Sequence, residues 1–371
     1  MRKQIALIKG DGIGPEIVRQ AIKVLDSIAS TFHHDFNYSE IEMGACAIDK
    51  YGVPITEEDL QKCTNSDAVL LGAIGDPKFD NDPSIKVRPE QGLLKLRKSL
   101  GLHSNIRPIK TYDEIIDSSP LKKNLLQNVD FVIYRELIGG IYFGEKVLSA
   151  DEKSASDLCE YSVDQIEKIT RKSFEGAQRR KKKVTLVDKA NVLETSRLWR
   201  KTVTELAKDY PDVELDFLFV DNAAMQIIQA PNSFDVILTE NMFGDILSDL
   251  ASVITGSIGM LPSSSVGDSI ALFEPIHGSY PQAKGLDIAN PMAMILSVAM
   301  MLDYFNLTEE ATKVRKAIEW ALEHGYVTKD IQSDDPIGCE RVGDIISLYL
   351  ETDGELTINN RNVEESRGVI I

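Results

Sequence analysis

Cysteine is scarce. There are four in 371 residues, at positions 46, 63, 159 and 339, and none stands at CxxC spacing. A disulfide framework and a zinc knuckle are therefore excluded, and the pattern fits free thiols in a reducing compartment. Long apolar runs are also missing. The longest, 292–302, is interrupted by Ser297 and stops at Asp303, so it reads as a buried helix rather than a membrane span. Only four apolar residues, 5–8, follow the basic start, too few for a signal peptide. Basic charge is in deficit, with 41 Lys and Arg against 58 Asp and Glu and a net charge of −17. Such a surface repels nucleic acid and anionic membranes, so neither is expected as a partner. An anionic substrate must then be held by a local cluster of cations working against the global field. A cytoplasmic location is expected.

What is present is core material. Hydrophobic residues make up 43% and charged residues 27%, which excludes disorder as the main state. Short apolar runs at 5–9, 68–72, 129–134, 183–187, 215–220 and 235–238 each precede a polar turn and read as buried strands. Helical spacing follows Pro15 (Ile17, Val18, Ala21, Ile22, Leu25, Ile28) and recurs from Ala311 to Leu322, with Gly325 as the stop. This alternation predicts an α/β protein with a largely parallel sheet. Ligands of such sheets gather beyond the strand ends, so the polar turns are where chemistry is sought.

Gly10-Asp11-Gly12-Ile13-Gly14-Pro15 resembles the dinucleotide fingerprint but has proline where the third glycine belongs. It reads as a tight turn that lets loop and helix pack closely. The basic run 179–183 reads as a solvated helix end. The stretch 241–249, Asn-Met-Phe-Gly-Asp-Ile-Leu-Ser-Asp, carries more chemistry. Asn241 can cap a helix. Asp245 and Asp249 then stand at i and i+4 on one face, where like charges repel unless a cation offsets them. Oxygen ligands at this spacing suit Mg2+ or Mn2+, and Asp221 follows a strand end as a third carboxylate. The plainer alternative is two solvated aspartates.

Glu90, Leu93, Leu94 and Arg97 fall on one face of a short helix. With Arg107 and Arg135 this supplies three guanidiniums, whose fork matches carboxylates. Taken singly, each arginine reads equally as a surface ion pair. Tyr142, in a glycine-flanked turn, has the chemistry of a general acid, and Lys189, just past a strand, that of a base.

Together these stretches resemble the β-decarboxylating dehydrogenases, which include the isocitrate and isopropylmalate dehydrogenases. The signature is 241–249 continued through 256–259. The segments 10–16, 135–144, 188–191 and 274–279 fall in family order, essentially end to end. The resemblance implies two α/β domains that share a large mixed sheet, not a Rossmann fold. The first would comprise 1–102 with 256–371, the second 103–255, and the site would lie in the cleft between them. It implies that Arg97, Arg107 and Arg135 hold the two malate carboxylates. Asp221, Asp245 and Asp249 would bind Mg2+ or Mn2+. Lys189 would take or relay the hydroxyl proton, and Tyr142 would reprotonate the enolate. Lys189 and Asp221 would come from the second subunit of an obligatory homodimer. NAD would be held by Glu90, Glu274, His277, Gly278, Ser279 and Asn290, with Gln282 where NAD-dependent members usually carry aspartate. Isocitrate enzymes carry serine and asparagine on the Glu90 helix. Here Leu93 and Leu94 give the pattern of isopropylmalate members, which serve leucine biosynthesis, since leucine can bury an isopropyl group but leaves a carboxylate unpaired. The alternatives are another malate-type substrate, such as tartrate or homoisocitrate, or a non-catalytic ligand-sensing subunit.

Overall fold

Two strand types account for most of the architecture: those buried on both faces, and those at a polar seam between them. The computed structural model describes residues 1–79, 85–331 and 335–354. The tail 355–371, which the expected first domain includes, lies outside them. The strands are β1 (Arg2–Gly10), β2 (Asp35–Ile41), β3 (Ala68–Ala73), β4 (Ser104–Lys110), β5 (Asp130–Glu136), β6 (Lys146–Leu148), β7 (Ala155–Asp157), β8 (Lys183–Asp188), β9 (Glu214–Phe219), β10 (Val236–Thr239), β11 (Pro262–Val266) and β12 (Ala271–Pro275). Ten form one sheet in the order β2-β1-β3-β12-β11-β4-β5-β10-β8-β9, and β6 with β7 makes a separate hairpin.

Six of the nine pairings in the large sheet are parallel, as the strand–helix alternation predicts. The other three fall together in the middle, where β12–β11, β11–β4 and β4–β5 are antiparallel. Three successive reversals turn the strand direction over between the wings. The sheet is mixed, and strands from 1–73 and 262–275 build one wing while 104–239 builds the other.

In the wings, alternate residues bury on opposite faces. Ile5 and Leu7 join a core under the helices Gly14–Phe32, Met292–Tyr304, Thr308–Glu323 and Cys339–Glu351, while Ala6 and Ile8 join the core on the other face. In the second wing Phe131 and Ile133 face one core, and Val132 and Tyr134 the other. Burial on both faces is why these strands read as continuous apolar runs. Helix 292–304 is apolar nearly all round because it sits inside the first core. Among the described residues no helix is long and apolar enough to cross a membrane.

The glycine turn does what close packing asks. Gly12 has φ +55°, and a Cβ there would sit 1.9 Å from the Ser279 carbonyl oxygen. Ile13 N donates to that same oxygen at 2.8 Å, which fastens the turn to the loop after β12. The basic run is also structural, since Arg180 bonds Asp130 and Asp235.

Candidate active site

Helix Asn241–Ser252 follows β10 directly. Its cap is Glu240, not Asn241: the extended residue is Glu240, whose carboxylate accepts from Phe243 N at 3.2 Å. Asn241 is the first helical residue and its side chain is engaged elsewhere. Asp245 and Asp249 share a face, as expected from their spacing. Gly244 lets that face approach β5, because a Cβ there would come within 2.7 Å of Arg135 Cβ.

Two arginines from the sheet close on this face. Arg135 on β5 donates Nη1 to Asp245 Oδ1, and its Nε and Nη2 to Asn241 Oδ1 at 3.1 and 2.9 Å. Arg107 on β4 lies 3.5 Å from Asp249 and 3.7 Å from Asp245. It also donates to Ser248 Oγ at 2.6 Å and to Asn105 Oδ1 at 2.7 Å. Asn105, fully buried, is held by Ser263 and Ser265 of β11. The Tyr142 hydroxyl donates to Asp245 Oδ2 at 2.9 Å. Burial presses against the charges of Arg107 and Arg135, and Arg97 adds to both. Burial, then the bond to Asp245, holds the Tyr142 phenol above its ordinary range, so it stays protonated at neutral pH. Burial and then Asp245 raise the Asp249 carboxyl, while Arg107 and Arg135 oppose the shift.

Lys189 and Asp221 form a second group. β9 ends at Phe219, so Asp221 stands in the first turn of helix Val220–Gln229 rather than in a turn before it. Lys189 Nζ donates to Asp221 Oδ1 at 2.9 Å, and that bond keeps the Asp221 carboxyl below its usual range. Among the described residues no three His, Cys, Asp or Glu side chains are gathered closely enough to hold a metal. Within one chain Asp245 joins Asp249 and Lys189 joins Asp221, but the two groups stay apart.

Helix Pro89–Ser99 places Glu90, Leu93 and Arg97 on a cavity of about 160 Å³ that Arg107, Glu274, His277 and Gly278 also line. Leu94 does not line this cavity and is 38% exposed. Arg97 Nη2 donates to Glu274 Oε1 at 2.8 Å. A neighbouring cavity of about 400 Å³ shares His277 and Gly278. Ile13, Ile258, Tyr280, Ile288, Asn290 and Asp330 line it as well. Ser279 is buried against the glycine turn, and a Cβ on Gly75 would lie 3.2 Å from Glu90 Oε1 and 3.5 Å from Ser279 Oγ. Gln282 is exposed and lines neither cavity.

Two side chains here, Asp330 and Asp11, have little or no signal in the sequence. Asp330 accepts from Asn290 Nδ2 at 3.1 Å and from Ser257, across 40 residues or more of chain. Asp11 accepts from the backbone N–H groups of Ala45, Cys46 and Gly75, and so ties the glycine turn to the loop after β3. Its place between two glycines was the only available hint.

A mixed α/β sheet thus carries a helix with paired aspartates that faces two arginines across the antiparallel seam. Residues 4–346 match the family model described as isocitrate/isopropylmalate dehydrogenase. The chain is 53% identical over 345 residues to a 3-isopropylmalate dehydrogenase of Clostridium acetobutylicum, covering 92% of this chain and 96% of that one. It is 52% identical over 349 residues to the 3-isopropylmalate dehydrogenase of Bacteroides fragilis, covering 94% and 98%. The crystal structure of isocitrate dehydrogenase from Methylococcus capsulatus superposes with a TM-score of 0.83 at 33% identity, over 94% of this chain and 99% of that one. The chain belongs to the isocitrate/isopropylmalate dehydrogenase family.

Proposed function

We propose that the chain catalyses the NAD-dependent oxidative decarboxylation of 3-isopropylmalate to 4-methyl-2-oxopentanoate, a reading supported by bacterial relatives named 3-isopropylmalate dehydrogenase. The observation that carries this reading is the cavity in which Leu93 stands beside Arg97 and Arg107. Its cations suit two carboxylates and its apolar wall a branched alkyl group, whereas a third carboxylate would be left unpaired against leucine.

The residues fit both implied cofactors. Asp245 and Asp249 are hard oxygen donors on one helix face, and Asp221 of a second copy would complete the set for Mg2+ or Mn2+. His277 Nε2 is shielded from solvent and has no hydrogen-bond partner among the described residues. Burial keeps the ring neutral, and its Nδ1 faces the Gly278 carbonyl at 2.9 Å. Nδ1 therefore carries the hydrogen, which leaves Nε2 an acceptor for a donor such as the adenine amino group. Glu90, Glu274 and Gly278 line the smaller cavity, Gly278 and Asn290 line the larger one, and Ser279 is buried beside the glycine turn. Gln282 would meet the ribose from outside both cavities.

A dinucleotide held there would supply the hydride acceptor, and a divalent cation on the aspartates would supply Lewis-acid stabilisation of negative charge. The chain supplies the rest. Arg97, Arg107 and Arg135 hold and orient the two carboxylates. Lys189 of the second copy takes or relays the hydroxyl proton. Tyr142, kept protonated by its surroundings, delivers a proton to the carbon that has lost CO2.

The exposed apolar residues Val147, Leu148, Met225 and Ile246, on the β6–β7 hairpin and the helices that bear Asp221 and Asp245, support a homodimer contact there. The two wings with their helices serve as the two domains, 1–102 with 256–371 and 103–255. The setting is the cytoplasm. The test is kcat/KM for 3-isopropylmalate, isocitrate, tartrate and homoisocitrate, each with NAD and NADP. A clear preference for 3-isopropylmalate with NAD supports the reading, and a preference for tartrate or isocitrate overturns it.

A further inference from the structure

We infer that Asn241 is a positioning residue that sets Arg135 and the turn carrying Tyr142 against the metal-binding helix without neutralising the arginine. The inference rests on the reading of Arg135 as a substrate cation and Tyr142 as a proton donor. Asn241 is only 2% exposed, so its polar atoms must find partners inside the protein. Oδ1 accepts from two nitrogens of one guanidinium, Arg135 Nε at 3.1 Å and Nη2 at 2.9 Å. Nδ2 donates to the Gly139 carbonyl at 3.2 Å. The orientation of the carboxamide follows from its partners. Arginine only donates and a carbonyl only accepts, so the flipped amide would face like against like on both sides.

The neighbours fix the residue itself. Asn241 N donates to the Tyr161 hydroxyl at 3.0 Å. The Tyr161 ring packs on the turn so closely that a Cβ on Gly139 would lie 2.7 Å from it, and one on Gly140 2.1 Å from its oxygen. Gly140 opens the short helical turn Gly140–Tyr142 that carries the phenol. One buried carboxamide at the start of the helix that bears Asp245 and Asp249 thus touches both the guanidinium and the phenol's turn.

The choice of amide matters. A carboxylate at 241 would make the same fork to Arg135 and make it more strongly. It would also cancel the charge that an anionic substrate needs. A neutral acceptor orients the guanidinium and adds no second negative charge beside the Asp245 carboxylate that already meets it. Stability and substrate affinity should therefore respond in opposite order to substitution, which a purely structural role does not produce.

The experiment compares Asn241→Asp and Asn241→Ser with the wild-type chain. It measures the thermal midpoint, KM for 3-isopropylmalate, KM for NAD, kcat, and calorimetric binding of the dicarboxylate without cofactor. The expected result is a crossed order. Asn241→Asp melts at or above Asn241→Ser, yet its KM for 3-isopropylmalate rises at least tenfold and exceeds that of the serine variant. KM for NAD stays within twofold in both, and kcat falls in both because the Gly139 carbonyl loses its donor. Wild-type affinity in Asn241→Asp, or the same order in midpoint and KM, overturns the inference. So does a parallel rise in KM for NAD. If Asn241→Asp fails to fold, the serine variant still decides, since wild-type kcat there removes the link to the Tyr142 turn. A wild type that binds the dicarboxylate but does not oxidise it defeats the proposed reaction, and the calorimetric order of the two variants still decides the role of Asn241.

Discussion

The two acid–base groups of the candidate site are built very differently. Asp245 is locked within its own chain by Arg135, Tyr142 and the nearby Arg107. Asp221 is 67% exposed, and among the described residues its one side-chain partner is Lys189. The first group is pre-organised, as a stabiliser of developing charge must be. The second is a loose pair at the surface, where ion pairs contribute little to stability. The contrast teaches that one group is held in place within a single chain, while the other is an exposed pair, as the proposed sharing of the site between copies requires.

Substitution should separate the two. Asp245→Asn and Asp221→Asn are each expected to lower kcat by about a hundredfold or more, the effect of removing a charge stabiliser at a reacting centre. Only Asp245→Asn should also lower the thermal midpoint of the metal-free protein. An equal loss of midpoint in Asp221→Asn would break the comparison. The next largest effect concerns the apolar wall. Leu93→Asn should cut kcat/KM for 3-isopropylmalate by roughly 10–100-fold, the range for losing apolar contacts in a pocket. Leu94→Asn should do less, because Leu94 stands outside the cavity. The reverse order would mean that the pocket is completed from another direction.

The smallest effect is a pH dependence in the support of the locked half. Glu136, at the end of β5, accepts from Ile138 N and Gly139 N at 2.7 and 2.9 Å at the start of the segment that leads to Tyr142. Burial pushes its carboxyl from an ordinary 4.5 up to about 7. Between those values the folded state keeps a proton that the unfolded state releases, so this contribution to stability is lost as pH rises through the window. The thermal midpoint of Glu136→Gln relative to wild type should therefore climb from pH 5 to pH 8. A flat difference would show that Glu136 does not titrate there.

The sequence makes some of this plain and hides the rest for physical reasons. β1, β3, β5 and β10 are legible because both faces are buried, and apolar runs mark them. β4 and β11 are not, because β11 is a row of serines that lies buried through bonds to Asn105 rather than through apolarity. Without those strands the antiparallel seam is invisible to periodicity, and the mixed sheet comes only from the family resemblance. The i, i+4 pairing of Asp245 and Asp249 follows from helix geometry alone. The company they keep does not, since Arg107, Arg135 and Tyr142 reach them across 100 residues or more of chain. Asn241 shows the limit of local rules: a good capping residue by type, it is drawn into a tertiary contact, and the glutamate before it takes the cap.

The most direct measurement mixes two inactive chains, Asp221→Asn and Asp245→Asn, by unfolding and refolding them together. If each site joins Asp245 of one copy to Asp221 of the other, random pairing gives one intact site in each mixed dimer, and about a quarter of wild-type activity returns. A mixture as inactive as its two components would contradict a site shared between copies.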